Sequence, residues 1–61
     1  MDKLEQLLER LRQAQRDLVY KAAESEALPT DRMLKKIADL EAGIAATEAL
    51  IDEERRGRNQ N

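Results

Sequence analysis

Pro29 is the only proline in the chain, and it stands between two stretches that each repeat apolar residues at helical spacing. Proline has no backbone N–H to donate, and its ring pushes the preceding residue, Leu28, out of the helical region. A single unbroken helix is therefore excluded. The chain must fold as two arms.

In the first arm Leu4, Leu7, Leu11, Ala14 and Leu18 recur at alternating spacings of three and four, and Ala22 continues the stripe. This is a heptad pattern. Leu8, Gln15 and Val19 widen it on one side, while Glu9, Arg12, Arg16 and Asp17 fall opposite. Asp2 and Glu5 place negative charge where the helix dipole is positive. The spacing predicts a helix over about residues 2–26 and a loop over about 27–30.

Thr30 suits an N-cap and Asp31 a first turn, so the second helix is expected over about residues 31–56. Met33, Ile37, Leu40, Ile44, Thr47 and Ile51 form its heptad seam. Gly57 follows Arg55 and Arg56, a common way for a helix to stop. Residues 57–61 are then expected to form a flexible polar tail.

A loop this short makes the arms antiparallel neighbours. Closing the hairpin sets Leu4 beside Ile51, Leu11 beside Ile44, Leu18 beside Ile37 and Ala22 beside Met33. The chain has 61 residues and neither Cys nor His, so no disulfide or Cys/His metal site can supplement a small core. The expected fold class is all-α: an antiparallel two-helix hairpin of coiled-coil type that dimerises into a four-helix bundle.

Composition narrows the function. Charged residues are 39% of the chain and the net charge is −2, so no overall basic balance points to nucleic acid. No apolar run is long enough to span a membrane, and none resembles a secretory leader, which leaves the cytoplasm as the expected compartment. Asp52-Glu53-Glu54 are consecutive carboxylates that point in different directions from a helix end, a poor arrangement for acid–base work. No catalytic residue, cofactor or metal is expected, and the chain reads as a non-enzyme.

Three surfaces could carry binding. Ala38, Ala42, Ala45 and Ala49 repeat at spacings of four and three, with Gly43, Ala46 and Leu50 nearby, and together form a candidate dimer or partner face. A glycine inside an exposed helix costs about 1 kcal/mol relative to alanine, and close approach by another helix would account for keeping one. Tyr20, the only aromatic residue, lies near Arg16, a pairing common at binding sites. Arg12 and Arg16, with Arg55, Arg56 and Arg58, could hold a phosphate backbone. Through Glu54, however, the second arm carries seven acids against three bases, which repels one. The expected function is a small interaction module that forms a homodimer or docks on a larger protein. A nucleic-acid-binding regulatory hairpin is the alternative.

Overall fold

A computed structural model describes residues 2–59, with side chains through residue 57. The chain is all-helical. Helix α1 spans Lys3–Glu24 and helix α2 spans Asp31–Asn59, and the two pack against each other. The molecule is a rod, 53 × 19 × 13 Å, with a radius of gyration of 14.9 Å. A compact domain of this length would have a radius of about 10.5 Å.

Both helices begin on side-chain caps. Asp2 is extended, and its Oδ1 accepts from the Glu5 N–H at 2.9 Å. Thr30 does the same for α2, its Oγ1 accepting from the Met33 N–H at 3.1 Å. Each cap satisfies one N–H that the helix itself cannot.

Helix α1 ends at Glu24, two residues before the expected boundary. Ser25 is extended, with φ −84° and ψ 138°, and its Oγ accepts from the Ala27 N–H at 3.2 Å. A serine that bonds its own neighbours competes with the helix, so the chain leaves the helix before Pro29 requires it. The connection is residues 25–30.

Helix α2 runs through Gly57, where a stop was expected, and on to Asn59. A glycine stop needs a left-handed backbone, and no described glycine has positive φ. Arg56 instead pairs with Asp52 at 2.6 Å across one helical turn, and cations at a helix C-terminus are favoured by the dipole. Of the expected tail, residues 60 and 61 lie outside the described residues.

The core is thin. Among the described residues Ile44 is the one buried apolar side chain, with Thr47 buried beside it on the next turn. Leu4, Leu8, Leu11, Gln15, Leu18 and Ala22 on α1 are half-buried, as are Met33, Ile37, Leu40, Gly43 and Ile51 on α2. Leu7 and Ala14, expected in the α1 seam, are exposed, and Leu8 and Gln15 take their places. The apolar stripe of α1 is wide enough for the helix to roll by one position. The roll brings Gln15 to Glu41, with the Gln15 Nε2 donating to Oε2 at 2.6 Å.

Candidate interaction surface

Among the described residues, three polar contacts that cross between the helices lie together on one side of the seam. Arg12 pairs with Glu48 at 2.6 Å, Gln15 bonds Glu41, and Arg55 approaches Glu5 at 3.8 Å. These contacts set the register: residues near the start of α1 are level with residues in the fifties on α2, and the Leu11 side chain reaches Gly43. This bridged face also carries an open hollow lined by Glu5, Arg12, Glu48, Asp52 and Arg55 around Leu8 and Ile51. Opposite charges face each other across it at Arg12 with Glu48 and at Arg55 with Glu5.

At 100° per residue the other side of the seam carries Leu7 and Ala14 from α1 and Gly43 and Leu50 from α2. No side-chain bridge crosses this open face among the described residues. Leu50 is half exposed and Leu7 39% exposed. At Gly43 an added β-carbon would meet the Leu11 Cδ1 at 3.7 Å, an ordinary contact. The hairpin itself therefore does not require glycine there.

The remaining face of α2 points away from α1. Ala38, Ala42, Ala45, Ala46 and Ala49 are all exposed on it or at its margins. The candidate face expected from sequence thus wraps the back of α2. Of its members, Gly43 and Leu50 turn toward the open face, and Gly43 is half-buried against α1.

Tyr20 is 64% exposed and stands on α1 with Arg12, Gln15, Arg16 and Val19 around a shallow hollow that involves no residue of α2. The structure thus brings Tyr20 and Arg16 together. The other arginines are matched by acids: Arg12 by Glu48, Arg55 by Glu5 and Arg56 by Asp52. The Arg58 side chain lies outside the described residues. Arg12 and Arg55 sit on the bridged face together, each opposite a carboxylate.

Leu28 is missed by periodicity. It is 92% exposed in the connection between the helices. A loop position has no helical phase to flag it. The available signal is the residue itself, a large apolar side chain directly before the proline that breaks the helix.

Among the described residues no cluster of acidic side chains could hold a metal ion. Among them, too, no helix is long and apolar enough to cross a membrane. A comparison with family models, curated proteins and solved structures finds no match to the chain.

Proposed function

We propose that this protein is a protein–protein interaction module, a helical hairpin that self-associates or docks on a larger partner through its helix faces. One observation carries the reading. The chain exposes 5292 Å² at a mass of 7.0 kDa. A compact monomer of that mass exposes about 4,000 Å². The excess of about 1,300 Å² reflects a two-helix rod whose helices have little of their surface covered. Part of it is apolar, since Leu7, Val19, Leu34 and Leu50 all remain exposed on the helices.

Of the two modes, self-association has the stronger physical basis. A helical pair with so little buried apolar surface gains stability by burying more against a like copy. Sedimentation over a concentration series, with helicity followed on the same samples, tests this. The expected result is a mass above 7.0 kDa that falls on dilution together with helix content. A fully helical monomer at every concentration up to the millimolar range would overturn self-association.

A further inference from the structure

We propose that a second copy of this chain seats on the open face, antiparallel, with the two loops at opposite ends. The proposal rests on the self-association reading above and adds the face, the orientation and the residues that meet.

Charge selects the orientation. Lys36 and Glu54 are eighteen residues apart on α2, which is five whole helical turns. They therefore share one side of the helix, about 27 Å apart. Both flank the open face, and neither makes an ion pair with a described residue of its own chain. Two α2 helices crossed antiparallel about a two-fold axis at residue 45 bring Lys36 of each copy to Glu54 of the other. One axis makes both pairs.

The first helix meets the same condition independently. Leu7 and Ala14, the exposed members of its stripe, are centred between residues 10 and 11. An antiparallel crossing there sets the large side chain of each copy over the small one of the other. Leu11 lies against Gly43, so this centre and the α2 centre are level in the hairpin. A single axis thus serves both helix pairs. Near it the open face carries Ala14 and Gly43, small enough for close helix approach, with the exposed Arg10 at its outer edge. The alternative with both loops at one end sets Lys21 close to Lys36 of the partner subunit and Lys3 close to Glu54 of the partner subunit. One repulsive pair there offsets one attractive pair, whereas the antiparallel crossing makes attractive pairs at both places.

The test is a charge reversal between positions that cannot touch within one chain. Lys36→Glu alone and Glu54→Lys alone each set like charges together at two symmetric places. Each should weaken the dimer on the order of tenfold at low salt. The double variant, Lys36→Glu with Glu54→Lys, should recover wild-type association. Helix content at high concentration checks that each variant folds. Because the chain has no native cysteine, cross-linking gives a second readout. Chains carrying Lys36→Cys mixed with chains carrying Glu54→Cys should form the mixed disulfide in preference to either homodimer.

A dimer in which the double variant stays as weak as the singles overturns the face and orientation while leaving self-association standing. Cross-links that favour two copies joined through position 36 do the same. A monomer at all concentrations overturns both readings.

Discussion

The Leu11 side chain lies 3.7 Å from where a β-carbon on Gly43 would stand. Leucine from one helix thus fills the space beside glycine on the other without needing all of it. A methyl group fits with no displacement, so the hairpin retains a helix-weakening residue that its own packing does not demand.

Gly43→Ala should therefore stabilise the isolated hairpin by up to about 1 kcal/mol, the helix propensity difference. The measurement is the urea midpoint by circular dichroism at concentrations where the chain is monomeric. If the open face is where copies cross, the same methyl group should weaken association, so the two effects carry opposite signs. A destabilised monomer would mean that Leu11 cannot accommodate the group.

Thr47 is buried, and its hydroxyl donates to the Gly43 carbonyl one turn back at 2.8 Å. That carbonyl also accepts the ordinary helical N–H bond, so it keeps a partner when the hydroxyl is removed. Thr47→Val should leave stability unchanged or raise it by about 1 kcal/mol, because an apolar group replaces a polar one in the seam. A loss of more than about 1 kcal/mol would assign the hydroxyl a structural role beyond this bond.

Arg12 and Glu48 each keep about half of their side-chain surface in water. A pair this exposed is screened, and its coupling should be about 0.2–1 kcal/mol. A double-mutant cycle of Arg12→Ala with Glu48→Ala measures it, and the coupling should shrink in about 1 M salt. Coupling that survives salt unchanged would show that the two side chains interact through packing.

Thr30 caps α2 through its hydroxyl. Thr30→Ala should cost about 1 kcal/mol and Thr30→Ser much less, since serine keeps the acceptor. Equal losses for both variants would place the effect in the threonine methyl group.

Much of this architecture could be read locally. Pro29 required two arms, heptad spacing made both arms helical, and Thr30 marked the start of α2 to the residue. These are short-range effects, set by backbone sterics and by bonds between near neighbours. The ends of the helices were less legible. Ser25 ends α1 through a local side-chain bond and Gly57 continues α2, and residue type alone does not decide either. At the candidate site, Leu50 and the alanines of α2 were identifiable from spacing, whereas Leu28 had no phase to give it away.

The sequence by itself determined the number of helices, their approximate length and the short connection that makes them antiparallel. Only the tertiary structure decided which edge of the α1 stripe turns inward. Leu7 with Ala14 and Leu8 with Gln15 are equivalent choices for an isolated helix, because rolling it changes no backbone bond. The choice depends on the partner helix, where Glu41 and Glu48 receive Gln15 and Arg12 on one side. That single roll fixes which face is bridged and which is left open, and so where a second chain could bind.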